Sequence, residues 1–238
     1  MSIKGILFDK DGTLLDFEAL WVKVVYITVC ELLEHFSVSE EYADTMMKSI
    51  GVENGCASIE SVFCCGAYDD TAKTLYDCFC KYKAGISYEE FKEFTEGAMA
   101  KNFPKGEVKP VSQNLPLVLS SLKNEGITIG VVTNDDRSST EKCLSELGIS
   151  NYFDFLSTYD NALPAKPQPA RLWDFCDRYG FKPSEVIMVG DTVNDMQFAK
   201  NAGATAVGIS ADSGNRMILE RKADYVIENI SELFSFID

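Results

Sequence analysis

From about Gly106 onward the chain alternates short apolar runs with amphipathic stretches, a rhythm that favours a parallel sheet covered by helices on both faces. The apolar runs occupy 127–133, 153–157, 186–189, 204–208 and 225–227, and residues 4–8 supply one more from the N-terminus. Between them, 111–124, 138–147, 170–179 and 195–201 carry helical periodicity, several ending at a glycine (Gly126, Gly148, Gly180, Gly203). The predicted fold class is α/β, a doubly wound, Rossmann-like parallel-sheet core.

Residues 16–103 break this rhythm. Helical periodicity covers 17–35, 40–50 and 70–83, and Ser87-Tyr-Glu-Glu90 is a capping-box pattern opening a further helix toward Asn102. With no convincing strand, the segment is expected to be a small all-helical cap domain. The glycine-containing stretch Gly51-Val-Glu-Asn-Gly55 is read as a surface loop. The expected division is a core of 1–15 with 106–238 and a cap of 16–105. Adjacent linkers at 14–17 and 103–113, the latter holding Pro104, Gly106 and Pro110, would let such an insertion move as a lid.

At 238 residues and 46% hydrophobic content, the chain can bury one large core plus an insertion. Its 22 basic and 37 acidic residues leave a formal charge of −15, which argues against nucleic-acid partners and anionic membranes. An anionic substrate would then need a local cationic spot that inverts the global field. The eight cysteines include no C-x-x-C pair, His35 is the only histidine, and the N-terminus has no leader pattern. Reduced thiols in a cytoplasmic protein are expected, without a zinc site. Nor does any apolar stretch reach the roughly 20 residues of a membrane span. Trp21 and Trp173 fall in helical patterns and are read as packing residues, and His35 as a solvated one.

The chemistry concentrates where apolar runs end. Ile6-Leu7-Phe8-Asp9-Lys10-Asp11-Gly12-Thr13 closes the first run with two carboxylates two residues apart, which strand alternation would put on one side. Lys10 would then point away, in a structural role. Like charges held that close need a cation, and hard carboxylate oxygens suit Mg²⁺. Thr133-Asn134-Asp135 offers a hydroxyl and backbone amides for phosphate oxygens, Lys166-Pro167 fixes a lysine in a stiff loop, and Gly190-Asp191-Thr-Val-Asn-Asp195 adds two more carboxylates. In an open α/β sheet, ligands bind outside the carboxyl ends of the strands.

In this order, Asp9-x-Asp11-Gly12-Thr13, Thr133, Lys166 and Gly190-Asp191-x-x-x-Asp195 resemble the motifs of the haloacid dehalogenase superfamily, phosphatase branch, over essentially the whole chain. The resemblance implies Asp9 as nucleophile through an aspartyl-phosphate, and Asp11 as acid then base. Thr133, Asn134 and Lys166 would hold phosphate, and Asp9, Asp11 and Asp191 would hold Mg²⁺. Asp195 would orient Lys166 or metal-bound water from behind. Asp11 also argues for phosphoryl transfer over dehalogenation, where no leaving alkoxide needs a proton.

The resemblance is to phosphoglycolate phosphatase-like members, so the expected partner is a small phosphorylated metabolite, selected by the cap. Alternatives are a β-phosphoglucomutase-like phosphotransferase, or a catalytically idle binding protein of the same fold. The sequence leaves oligomeric state open.

Overall fold

A computed structural model of the chain describes residues 2–66, 68–160 and 162–237. Two compact units emerge, Met1–Asp16 with Pro110–Asp238, and Phe17–Lys109. Residues 106–109 go with the second unit, where the Glu107 amide donates to the Ala19 carbonyl (3.1 Å).

The chain enters the first unit through β1 (Gly5–Phe8) and then crosses the second. That unit opens with a π-helical turn at Glu18–Val22 running into α1 (Lys23–His35), so the stretch expected as one regular helix carries five residues of wider winding. α2 (Ala43–Ser49) follows. Next comes a difference from expectation, because Gly51–Gly55 lies in a two-stranded antiparallel ribbon of β2 (Val52–Glu53) and β3 (Cys56–Ala57). Its turn is Asn54-Gly55, with both residues at positive φ (53° and 80°), the dipeptide that a tight hairpin selects. α3 (Val62–Cys65), α4 (Tyr68–Phe79) and α5 (Tyr88–Asn102) complete the unit. The Ser87 hydroxyl caps α5 by accepting from the Glu90 amide (3.1 Å).

Val25, Val29, Leu32 and Phe36 recur at helical spacing along one face, and pack with Met46, Leu75, Phe79 and Phe91 as this unit's own core. His35 is exposed and stacks on Phe94 with ring centroids 4.2 Å apart.

Back in the first unit come α6 (Leu115–Asn124), β4 (Thr128–Val132), α7 (Arg137–Glu146), β5 (Phe155–Ser157), α8 (Ala170–Tyr179), β6 (Val186–Gly190), α9 (Val193–Ala202), β7 (Thr205–Ile209), α10 (Ser213–Leu219) and β8 (Tyr225–Ile227). α10 had no counterpart among the expected helices. The six strands form one parallel sheet in the order β5-β4-β1-β6-β7-β8. β1 therefore sits between β4 and β6, the place where strand order reverses and the carboxyl ends open a crevice.

Both faces of a covered parallel strand are apolar, and β1, β4 and β6 read as near-continuous Val, Ile, Leu and Met. Ile6, Ile129 and Ile187 form a buried row across β4, β1 and β6, in one core with Leu119 and Leu122 of α6. Truncating Ile6 or Ile187 to alanine would cost about 2–5 kcal/mol. Among the described residues, no helix is long and apolar enough to cross a membrane. Among the described residues the eight cysteines form no disulfide.

Candidate active site

The central strand stops at Phe8, and the Asp9 amide still donates to the Val189 carbonyl (2.9 Å), which fixes the first carboxylate against the neighbouring strand β6. Beyond Asp9 the chain turns. The Leu14 amide returns to the Lys10 carbonyl and the Gly12 amide bonds the Leu15 carbonyl, so strand alternation does not extend to Asp11. The expectation that Lys10 points away is overturned for the same reason. Its fully buried ammonium lies 2.9 Å from Asp11 Oδ1 and 2.8 Å from an Asp135 carboxylate oxygen. Burial works against that charge, but Asp11 and Asp135 outweigh it and hold the amine far above the ordinary lysine range.

Lys166 is the second buried ammonium. Its Nζ lies 2.7 Å from Asp9 Oδ1 and 2.6 Å from Asp195 Oδ1. Burial again opposes the charge, and Asp195 and Asp9 overcome it, so Lys166 stays protonated. The loop carrying it is held at the backbone. Lys166 donates its amide to Asn134 Oδ1 (3.0 Å), and its carbonyl accepts from Asn134 Nδ2 (3.2 Å) and Asn194 Nδ2 (3.3 Å). Asn134 thus spends its side chain on the loop, which leaves its backbone amide as the group it can offer an anion.

Asp195 occupies the first turn of α9 in a capping box with Thr192. Its Oδ2 accepts from the Thr192 amide (3.1 Å) and hydroxyl (2.6 Å), while Oδ1 faces Lys166. Both oxygens are therefore engaged with the protein. The T-x-x-D spacing at the start of α9 is the sequence signal for that cap. Asp191, half-buried, accepts from the Thr13 hydroxyl (3.2 Å). Gly12 is required beside it, since its φ is +76° and a Cβ there would lie 2.0 Å from Asp191 Oδ2.

One carboxylate oxygen from each of Asp9, Asp191 and Asp195 falls within 4.8 Å of the others. Asp11, expected beside them, is turned to Lys10 by its side chain. Three carboxylates then face one ammonium. Burial, relieved by Lys166 and reinforced by Asp195 and Asp11, pushes the Asp9 carboxyl up to about 7. Burial, with Asp195 and Asp9 adding to it, drives Asp191 well above the usual carboxylate range. An all-oxygen cluster short of positive charge fits a hard divalent cation such as Mg²⁺.

At the end of β4, Thr133 is buried, and its Oγ1 accepts from the Asp135 amide (3.1 Å), so its own O–H can donate elsewhere. Sequence reasoning missed Arg171, a fully buried residue whose Nη1 donates to the Thr133 carbonyl (2.7 Å). Its place in a regular helical pattern gave no signal.

A family model for haloacid dehalogenase-like hydrolases matches residues 3–203. The chain belongs to the haloacid dehalogenase-like hydrolases. Among curated relatives of this hydrolase, pyrophosphatase PpaX of Bacillus velezensis is 28% identical over 233 residues, covering 97% of this chain and 94% of that protein. Phosphoglycolate phosphatase of Haemophilus influenzae is 28% identical over 241 residues, covering 99% of both chains. The crystal structure of a predicted phosphoglycolate phosphatase from Haemophilus somnus superposes with a TM-score of 0.75 at 22% identity, over 99% of this chain and 98% of that one. Hydrolysis is the chemistry of the family, and the strand-end cluster is where this chain gathers buried carboxylates around a lysine.

Proposed function

We infer that this hydrolase is a Mg²⁺-dependent phosphatase that cleaves a small phosphomonoester, phosphoglycolate-like in size and charge, through an aspartyl-phosphate on Asp9. The observation carrying the reading is the Lys166 ammonium bridging Asp9 and Asp195 at 2.7 and 2.6 Å, with Asp191 in the same cluster. In an acidic protein this is a buried cation and a set of oxygen donors at the carboxyl ends of β1 and β6.

Asp9 and Asp191 would hold the metal, with Asp11 contributing its backbone carbonyl, and Asp195 orienting Lys166 from behind. Bound there, Mg²⁺ would supply Lewis-acid charge neutralisation, keeping Asp9 ionised and offsetting charge on the phosphoryl oxygens. Asp9 attacks phosphorus, the bond to the leaving oxygen breaks, and Asp11 gives that oxygen a proton. Asp11 then takes a proton from water, whose oxygen attacks phosphorus and releases Asp9 and inorganic phosphate. Lys166, the Thr133 hydroxyl and the Asn134 amide hold the phosphoryl oxygens, whose charge must be met by donors already in place.

The test is Mg²⁺-dependent phosphate release over phosphoglycolate, hexose phosphates, nucleotides and pyrophosphate, with Asp9→Asn alongside. Release should fall at least about 10⁴-fold in the variant. Pyrophosphate as the preferred substrate would align this chain with the PpaX relative instead. Return of the phosphoryl group to sugar would mark a phosphotransferase, and no turnover by the wild type would reject the reading.

A further inference from the structure

Arg171 is a charged side chain with no exposed surface, and neither of its hydrogen-bond acceptors is a carboxylate. Nη1 donates to the Thr133 carbonyl (2.7 Å), Nη2 to the Leu163 carbonyl (3.4 Å), and Nε is buried without a partner. Burial pulls its proton affinity below the ordinary arginine value, with Asp160 and Tyr159 only partly opposing that. Burying a guanidinium on neutral acceptors alone is costly, and an apolar residue of similar volume would fill the same space more cheaply. The first acceptor belongs to the site already described, and the second lies three residues before Lys166. Thr133 directly follows β4, and Leu163 leads into the loop that presents Lys166.

The first of these bonds has an electrostatic consequence. Among the described residues the only cis peptide is Lys166-Pro167, so the bond between Thr133 and Asn134 is trans. In a trans peptide the C=O and N–H point to opposite sides. With the Thr133 carbonyl turned inward to Arg171, the Asn134 N–H faces away from the guanidinium. A cationic donor on a carbonyl polarises the same peptide unit and makes its N–H a stronger donor, an effect that grows where the dielectric is low.

We propose that Arg171 is a positioning residue for phosphate, acting through the Thr133–Asn134 peptide to aim and polarise the Asn134 N–H toward a phosphoryl oxygen while tying the Lys166 loop to the same strand end. This rests on the phosphatase reading. It makes Arg171 a third buried cation, with Lys10 and Lys166, at the strand ends of a chain whose formal charge is −15. Unlike Lys166 it touches no substrate, and its charge reaches the anion through one peptide unit.

The experiment titrates Mg²⁺-saturated protein with inorganic phosphate by calorimetry, for wild type, Arg171→Met and Arg171→Lys. Mg²⁺ alone is titrated in parallel, and the Asn134 amide proton is followed by NMR. In the wild type, phosphate should move the Asn134 amide proton downfield. Arg171→Met should weaken phosphate binding about tenfold, Arg171→Lys should recover part of it, and the Mg²⁺ affinity should be unchanged in both. Equal phosphate affinity in Arg171→Met, or parallel loss of phosphate and Mg²⁺ affinity, would overturn the proposal, the latter by showing a merely structural role. Should Arg171→Met fail to fold, the wild-type spectrum decides, because phosphate binding with a silent Asn134 amide defeats the proposal and leaves the phosphatase reading standing. A wild type that binds no phosphate and turns over no phosphomonoester removes both.

Discussion

Nζ of Lys166 lies 2.7 Å from Oδ1 of Asp9, and that pair is almost wholly buried. Its removal would leave Asp9 facing Asp195 and Asp191 with no cation between them. Breaking a buried pair from one side costs about 3–5 kcal/mol, because the surviving charge stays desolvated. Lys166→Met should therefore destabilise the metal-free protein by that order in urea, and by less in saturating Mg²⁺. It should also lower kcat by about 10²–10³-fold, the scale of losing one preorganised charge on the transition state. Stability within about 1 kcal/mol of wild type in EDTA would contradict this account.

The same cluster links stability to pH and metal. Asp9 is pushed up to about 7 from an ordinary value of 3.8, and Asp191 is raised well above that ordinary value. A carboxyl whose folded pKa is raised stabilises the fold most when both states are protonated, and that contribution drains away as pH rises through the folded pKa. Metal-free protein should thus lose stability between about pH 4 and pH 7 at this site. A divalent cation binds the ionised forms, so the gain in melting temperature from Mg²⁺ should be larger at pH 8 than at pH 5. Melting curves with Mg²⁺ or EDTA at both values read this directly, and equal gains would count against the cluster as the metal site.

Gly12 offers a third test, free of charge changes. Its φ of +76° and the 2.0 Å approach of a would-be Cβ to Asp191 Oδ2 leave no place for a side chain. Gly12→Ala should cost about 1–3 kcal/mol from backbone strain alone and displace Asp191 as well. Weaker Mg²⁺ binding by titration, out of proportion to the loss of stability, is the expected signature. Unchanged Mg²⁺ affinity would separate Asp191 from the metal.

The sheet was legible because its strands are buried on both faces and so read as unbroken apolar runs, from Ile6-Leu7-Phe8 to Val186-Ile-Met-Val189. Spacing also led to Asp9, Lys166, Asp191 and Asp195, since a strand end followed by polar residues is a local pattern. What escaped was whatever depends on contacts distant in sequence or on very short elements. The ribbon at 52–57 has only two residues per strand, although its Asn54-Gly55 turn was a readable hairpin signal. α10, seven residues long, is too brief for periodicity to declare itself. Arg171 lies 38 residues from the carbonyl it holds, and nothing in a local window distinguishes it from a surface arginine. Lys10 was misplaced for a different reason, as alternation was carried one turn past the end of the strand.

That correction makes Lys10 the most informative single substitution outside the carboxylate cluster. Its ammonium is fully buried between Asp11 and Asp135, two carboxylates brought together from loops after β1 and β4. Without it the two acids face each other in a site that is largely closed to water, and repulsion there is poorly screened. Lys10→Met keeps the length of the side chain and removes the charge, so the loss reports electrostatics more than packing. It should destabilise the protein by about 3 kcal/mol, well beyond the change of under 1 kcal/mol expected for the exposed Lys73–Asp77 pair on α4. Asp135→Asn in the Lys10→Met background should recover part of that stability, since it relieves the repulsion, whereas alone it should destabilise. The sign reversal in such a double-mutant cycle is the decisive readout. Catalysis should separate from it. On the proposed mechanism, in which Asp11 carries the proton, kcat in the double variant should stay depressed, because neutralising Asp135 restores charge balance without restoring the contact that holds Asp11 Oδ1. Full recovery of kcat along with stability would show that Lys10 serves the fold alone.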